Sequence, residues 1–444
     1  MKSYSLQQLA EAIGGTLPHG GHEVSITSGV STDTRKVRQG SLFIALKGDQ
    51  FDGHCFLSEA QEKGALAAIV HEQSQAPDSF PVILVQDTLK GLQALAHWYR
   101  RQLNIPVVAI SGSNGKTSTK DFTRSVLSKR YRVNATEGNL NNHIGLPLTI
   151  LAAEEQDEVM VVEMGMNHAG ELEPLCEIAR PDISVITNVG TAHIEFLGSQ
   201  EAIAQEKGTL ARALSSEGVL VVPSSCEYLE DFRQDTRGRV IAVGESGIRA
   251  DRICLGADRS DFDLTVDDLG CVPTSISVPG YHMITNALLA AGVGIELGLD
   301  LTEISQGLQA SRLTSGRLRK YECRGVTIID DTYNANPESM AAALQTAASI
   351  PIRGARTAVL GRLAEQGHFA STAYQALGKL ARDLGVRLVS IGTDVEALNA
   401  PLHFDTIEPA AMWLSENTNS GDLVLFKGSR SAAMERVMNL AYPE

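Results

Sequence analysis

The residues of this chain best suited to chemistry lie at 106–119, PVVAISGSNGKTST. A β-branched apolar run at 107–110 stops at a glycine-rich turn, and Lys116, Thr117 and Ser118 then open an amphipathic segment carrying Phe122, Val126 and Leu127. Strand, turn and helix in that order describe a phosphate loop. Gly112 and Gly115, on either side of Ser113 and Asn114, let the backbone bend so that successive N–H groups converge on one oxyanion, while the helix N-terminus adds partial positive charge. In such a loop Lys116 reaches the β- and γ-phosphates and the Thr117 hydroxyl ligates Mg²⁺. Ile110 stands where the eight-residue form of the motif has its first glycine, which leaves the shorter GSNGKT. A chance turn is the bland alternative, and the flanking strand and helix argue against it.

Elements that position such a loop belong to an open parallel sheet, where ligands bind beyond the carboxyl ends of the strands. Polar residues at other strand ends therefore carry weight. Glu163 closes the otherwise apolar run VMVVE, and a carboxylate there must be paired or hold a cation. Beside a phosphate loop the natural cation is Mg²⁺, with a structural ion pair as the alternative. His193 follows Asn188 after the strand-like ISVIT at 183–187. The run TEGNLNNHIGLP at 136–147 clusters Asn139, Asn141 and Asn142 between glycines. Clustered amides suit a hydroxyl- or amide-rich ligand, although asparagine also serves turns.

The rest of the chain divides into three. Residues 1–85 read as a small α/β domain: Ser5 caps a short helix with Gln8 three residues on, Gly14 and Gly15 stop it, and strand-like SLFIAL, AAIV and VILV follow. Residues 86–312 alternate strands at 107–111, 159–164, 183–187, 218–222 and 239–243 with helical segments, as a parallel sheet covered on both faces does. FDLTV (262–266) and SISV (275–278) alternate with period two and predict an antiparallel edge. Residues 313–444 restart the pattern at 326–330, 357–361, 388–392 and 422–426, a second sheet of dinucleotide-fold type. The fold class is thus α/β in three domains: a small α/β domain, a central parallel-sheet domain with the phosphate loop and a Rossmann-like C-terminal domain.

At 444 residues and 43% hydrophobic content each domain can bury a core, and no apolar run approaches a bilayer span. Six cysteines without C-x-x-C spacing argue against a disulfide framework or structural zinc and point to a reducing cytoplasm. A net charge of −15 disfavours nucleic acid or an anionic membrane as the main partner. The expectation is a cytoplasmic monomer.

Together, GVSTDTRKVRQGSLFIALKGDQFDGH (29–54), SGSNGKTSTKD (111–121), TEGNLNNHIGLPLT (136–149), VVEMGM (161–166), NVGTAHIE (188–195), PGYHMITNALLAA (279–291), DDTYNANP (330–337) and KGSRSAAME (427–435) resemble the Mur ligases, the ATP-dependent amide-forming enzymes of peptidoglycan synthesis. The likeness spans nearly the whole chain and is greatest to the branch that joins D-alanyl-D-alanine to UDP-N-acetylmuramoyl-tripeptide. It implies ATP and Mg²⁺ as cofactors and an acyl phosphate on the tripeptide carboxylate. It further implies Lys116 at the transferring phosphoryl, Thr117 and Glu163 on one Mg²⁺, and His193 with a carbamylated Lys207 on a second. Arg317 would approach the γ-phosphate and Asp331 would pin a hinge. Tyr333, Asn334 and Asn336 would shape the nucleotide face, with His282 and Asn286 near the adenine. Thr34, Arg35, Gly48, Asp52 and His54 would take the uridine diphosphate, with Thr136, Asn139 and Asn142 on the substrate side. Two positions depart from the family pattern: Thr209 and Arg362 stand where acidic residues are expected, though Glu365 is retained. Another ligase of the superfamily, such as a folyl-polyglutamate type, is the alternative that the 29–54 run argues against. A regulatory protein using the loop as a switch would have no reason to carry Glu163, His193 and Lys207.

Overall fold

A computed structural model describes residues 1–18, 20–71, 76–77 and 79–443. Three large sheets follow one another along the chain. The first has four parallel strands in the order Val30–Ser31, Leu42–Ile44, Ala67–Val70, Val82–Leu84. The helix Leu6–Ile13 packs beside it, capped by Ser5 and Gln8 as the sequence predicts and ended by Gly14 in the left-handed conformation.

The second sheet has nine strands. Its spatial order runs Gly270–Ile276, Ser260–Val266, Ile248–Leu255, Arg239–Val243, Val219–Pro223, Ile183–Ile186, Val107–Ser111, Val159–Glu163, Val133–Ala135. The phosphate-loop strand Val107–Ser111 lies between Val159–Glu163 and Ile183–Ile186, parallel to both, so that Ile110 faces Glu163 and Ser111 faces Ile186. This is where the order of strands reverses along the chain, the place where open α/β sheets bind ligands. Period-two alternation divides each strand between two cores: Val108 and Ile110 face one cluster, Val107 and Ala109 the other.

The third sheet has six strands ordered Arg319–Cys323, Val326–Asp331, Leu423–Lys427, Arg356–Leu360, Arg387–Ile391, Leu402–Phe404, with only the first antiparallel to its neighbour. Besides the short Tyr4–Ser5, Ser25–Ile26, Val30–Ser31 and Val133–Ala135, three further strands escape the sequence patterns: Ile248–Leu255, Arg319–Cys323 and Leu402–Phe404. Each is partly exposed and lacks an apolar stripe, because two lie at or near an edge and the third carries charged residues along a hairpin. One hydrophobic cluster runs without interruption from Phe122 and Met283 of the second body to Met340 and Leu425 of the third. No helix among the described residues is long and apolar enough to cross a membrane.

Candidate active site

Gly112 and Gly115 take φ of +151° and +78°, and Gly115 forms the N-cap of the helix Lys116–Leu127. The first N–H groups of that helix have no acceptor inside it. The loop is fixed from behind: Ser113 and Asn114 donate their N–H groups to the backbone oxygen (3.1 Å) and Oδ1 (2.8 Å) of Asn188, and Gly190 N–H donates to Ser113 Oγ at 2.8 Å. A Cβ on Gly112 would lie 1.8 Å from Thr187 Oγ1. Gly112→Ala is therefore expected to displace the loop at a cost of about 1–3 kcal/mol and to abolish tight nucleotide binding. Titration with a non-hydrolysable ATP analogue checks this; wild-type affinity would show that the turn is not the phosphate cradle.

Beneath the loop, Thr117 Oγ1 donates to Glu163 Oε2 at 2.8 Å and accepts from Arg317 Nη2 at 2.8 Å. Asn141 Nδ2 donates to Glu163 Oε1 at 2.8 Å, and Thr136 Oγ1 accepts the Glu163 N–H at 2.9 Å. Glu163 is 2% exposed. Lys116 Nζ folds onto Gly112 O at 2.7 Å, and burial lowers its pKa against the opposing pull of Glu163. A hydroxyl and a buried carboxylate side by side, with few other protein oxygens, match the partial protein coordination that Mg²⁺ accepts when phosphates supply the rest.

Lys116, Thr117, Glu163 and Arg317 open into a cleft of about 230 Å³ between the second and third sheets. Its walls include Asn286, His282, Asp331, Tyr333 and Asn334. The Arg317 guanidinium lies 4.3 Å from the Tyr333 ring centroid, and Lys427 bridges Asp331 Oδ2 (2.6 Å) and Asn334 O (2.9 Å). Asn114 Nδ2, Arg317 Nε and Glu338 Oε2 are buried without a hydrogen-bond partner among the described residues, and all three side chains belong to cleft-lining residues. The two donors among them, Asn114 Nδ2 and Arg317 Nε at the mouth of a phosphate loop, fit a nucleoside triphosphate, while Glu338 Oε2 is an acceptor. Asn336 does not line the cleft; its Oδ1 accepts from Ser339 N–H at 2.9 Å and caps the helix Pro337–Ser349.

Burial holds the His282 imidazole down at about 4 from its ordinary 6.5. Between those values the unfolded chain binds a proton that the folded chain refuses, so stability falls as pH drops from about 6.5 towards 4, by about 1.4 kcal/mol per unit of depression. His282→Gln is expected to flatten that slope in urea unfolding measured across the interval. An unchanged slope would show that His282 is protonated in the folded protein.

His193 and Lys207 approach from the side. His193 takes φ +65°, and its Nδ1 lies 2.5 Å from Glu365 Oε2 of the third body. This contact holds the Glu365 carboxyl below its ordinary range. Lys207, at the end of the helix Gln200–Lys207, is 1% exposed. Burial, and then the nearby charge of Lys116, push its ammonium pKa well below the usual value. Across the same junction Thr191 N–H donates to Glu338 Oε1 at 2.8 Å and Gln366 Nε2 to Thr191 O at 3.2 Å.

The candidates nearer the N-terminus fare differently. Both ring nitrogens of His54 are engaged: Nδ1 meets Asp52 Oδ1 at 2.7 Å and Nε2 accepts His71 N–H at 3.1 Å. At 1% exposure it is a core residue with no nitrogen left for a ligand. Asp52 is occupied by that pairing, and its carboxyl is drawn down to about 2, first by the His54 N–H. The Arg35 side chain is 84% exposed and paired with Asp33 at 2.7 Å. None of Thr34, Arg35, Gly48, Asp52 and His54 lines the cavity of about 750 Å³ that opens between the first and second sheets; Ser31, Thr32, Lys36 and Arg38 do. Asn142 Oδ1 accepts from Ile144 N–H (3.1 Å) and Gly145 N–H (2.9 Å), which is turn chemistry, and Asn139 is exposed. Of the three amides it is Asn141 that meets Glu163.

Asn188, noted in the sequence only as a polar strand end, joins the site behind the loop, and Glu338 and Lys427 join it without having been singled out. Lys427 ends the buried strand Leu423–Lys427 as Glu163 ends its own, so the same signal was present. Glu338, in the first turn of a helix, carries no such mark.

Three family models cover the chain in succession: the Mur ligase family catalytic domain at residues 27–107, the Mur ligase middle domain at 110–294 and the Mur ligase glutamate ligase domain at 316–430. The chain is 36% identical to the UDP-N-acetylmuramoyl-tripeptide–D-alanyl-D-alanine ligase of Bacillus subtilis, over 98% of this chain and 97% of the relative. It superposes on the crystal structure of MurF from Acinetobacter baumannii with a TM-score of 0.92 at 30% identity, covering 99% of both chains. For MurF from Thermotoga maritima in complex with ADP the TM-score is 0.82 at 28% identity, over 93% of this chain and 96% of that one. With the phosphate loop, the Thr117–Glu163 pair and full-length likeness in agreement, the chain belongs to the Mur ligase family.

Proposed function

We infer that this chain is an ATP-dependent amide ligase of peptidoglycan precursor synthesis, joining D-alanyl-D-alanine to UDP-N-acetylmuramoyl-tripeptide. The observation that carries the chemistry is the junction of Thr117, Glu163 and Arg317, drawn from two bodies onto one hydroxyl. When bound, ATP supplies the phosphoryl group that activates the tripeptide carboxylate as an acyl phosphate, and Mg²⁺ offsets the charge of the phosphates. Thr117 and Glu163 are the residues that would hold one Mg²⁺, with His193 and a carbamylated Lys207 at a second. The N–H groups of residues 115–118 orient the phosphates, those of Ser113 and Asn114 being spent on Asn188, and Lys116 with Arg317 stabilises charge on the transferring group. His282, Asn286, Asp331, Tyr333 and Asn334 embrace the nucleoside. Contacts of Glu338, Glu365 and Gln366 with residues 191–195 close the third body over the site and exclude water. Exclusion matters because the acceptor amine must attack before water does, and alignment supplies effective molarities of about 10⁵ to 10⁸ M.

Residues 1–85 would bind the UDP end, with the Ser31–Arg38 cavity favoured over Arg35 and His54. Residues 86–312 would carry ATP, and residues 313–444 would close on both. Six free cysteines suit a reducing cytoplasm. Phosphate release measured with ATP, UDP-tripeptide and D-alanyl-D-alanine, each omitted in turn, tests the reading; release independent of the dipeptide would refute it.

A further inference from the structure

The segment between the helix Leu301–Gln309 and the strand Arg319–Cys323 is tied at two ends to different bodies. Thr314 donates both its N–H and its hydroxyl to Asp121 Oδ2, each at 2.9 Å. Asp121 Oδ1 is held by Lys120 Nζ at 2.9 Å, and that ammonium also donates to Thr136 O at 3.1 Å. The Asp121 side chain is 9% exposed, so its carboxylate is fully committed. Three residues further on, Arg317 reaches Thr117. Thr117 and Asp121 lie one turn apart on the same face of the phosphate-loop helix.

From Gly316 onward the backbone is bound to the third sheet instead. Gly316 O accepts Tyr333 N–H at 3.2 Å, and Leu318 N–H donates to Asp331 Oδ1 at 3.3 Å. Only exposed Ser315 separates the two attachments, and Gly316 takes φ +76°, a conformation that glycine adopts without strain.

We propose that Asp121 is a positioning residue: it fixes the pivot at Thr314, so that rotation at 315–316 delivers Arg317 onto the Thr117 hydroxyl as the third body closes. The proposal rests on the ligase reading above. With the pivot held, the arm that swings is three residues long. With it released, the arm lengthens back to Ser311, where hydrogen bonds to Leu308 O hold the chain, and the guanidinium arrives misplaced. A displacement of about 1 Å in a catalytic group can cost about 10²-fold in rate.

The test uses the full chain with Asp121→Ala, Thr314→Val and Thr314→Ser. Affinity for a non-hydrolysable ATP analogue is measured beside kcat for phosphate release with both co-substrates. Asp121→Ala is expected to lower kcat by about 10- to 100-fold while analogue affinity stays near wild type. Thr314→Val should lower kcat in the same way, and Thr314→Ser, which keeps the hydroxyl, should restore it. Wild-type kcat in both Asp121→Ala and Thr314→Val would overturn the proposal, as would a loss of analogue affinity equal to the loss of kcat. Should Asp121→Ala melt below assay temperature, the Val and Ser pair decides, equal rates refuting the pivot. A wild-type chain that binds no analogue overturns the ligase reading itself.

Discussion

Lys116→Ala is expected to lower ligation by about 10²- to 10³-fold, the usual cost of removing one preorganised group that faces developing charge, and to leave the fold intact. The two halves of the expectation rest on different observations. Lys116 stands at the N-terminus of the phosphate-loop helix and lines the cleft with Glu163 and Arg317. Burial disfavours its charged form there and Glu163 opposes that effect, so the amine stands at the spot where phosphate oxygens gather. Its bonds within the chain are to Gly112 O (2.7 Å) and Ser113 O (3.5 Å). Losing one such hydrogen bond changes stability by about 1 kcal/mol. Thermal melting beside phosphate release separates the two effects; turnover within tenfold of wild type would remove Lys116 from the phosphate site.

Lys207→Ala is expected to eliminate nearly all activity, by more than about 100-fold, since losing even a partner of a metal ligand costs about 10- to 100-fold. Lys207 is buried, and its charged form is strongly disfavoured, first by burial and then by Lys116. An uncharged Nζ can attack carbon dioxide: a C–N bond forms, one amine proton leaves, and a carbamate anion results. That anion would attract Lys116 where the ammonium repels it, and would offer oxygens to a second Mg²⁺. Acetate or formate should then partly restore Lys207→Ala by occupying the vacated volume and supplying those oxygens. Glu163→Ala should be rescued less well, because its cavity lies against a strand and its carboxylate also anchors Thr117 and Asn141. Full activity in Lys207→Ala, or a mass spectrum showing a bare amine at saturating bicarbonate, would make it an ordinary buried lysine and require the second metal site to be redrawn.

Local pattern by itself determined the parts of this protein in which one element's geometry is decisive. The run 107–111 followed by GSNGKT could be read as strand, loop and helix because burial on both faces demands a continuous apolar strand and the turn demands glycine. Glu163 stood out by the same logic: a charge ending an apolar strand must have a partner. Family resemblance pointed to Tyr333, Asn334 and Asn336 for a nucleotide face and to Asp331 for a hinge; the cleft is lined by Tyr333, Asn334 and Asp331, while Asn336 caps a helix beside it.

Only the tertiary structure decided which side chains meet across distance. Asn139, Asn141 and Asn142 are chemically alike, and the path of a turn selects Asn141 for Glu163 while Asn142 closes the turn onto the N–H groups of Ile144 and Gly145. His54 reads as a ligand in sequence, yet the first sheet turns it inward between Asp52 and the backbone of His71. Thr117, Glu163 and Arg317 are far apart in sequence, and their shared hydroxyl exists because strand order sets Val159–Glu163 beside the phosphate-loop strand and the Asp121–Thr314 bonds lay the connecting segment along its helix. Periodicity reports which face of an element is buried; it holds no information about which other element covers that face, and the active site is made at those junctions.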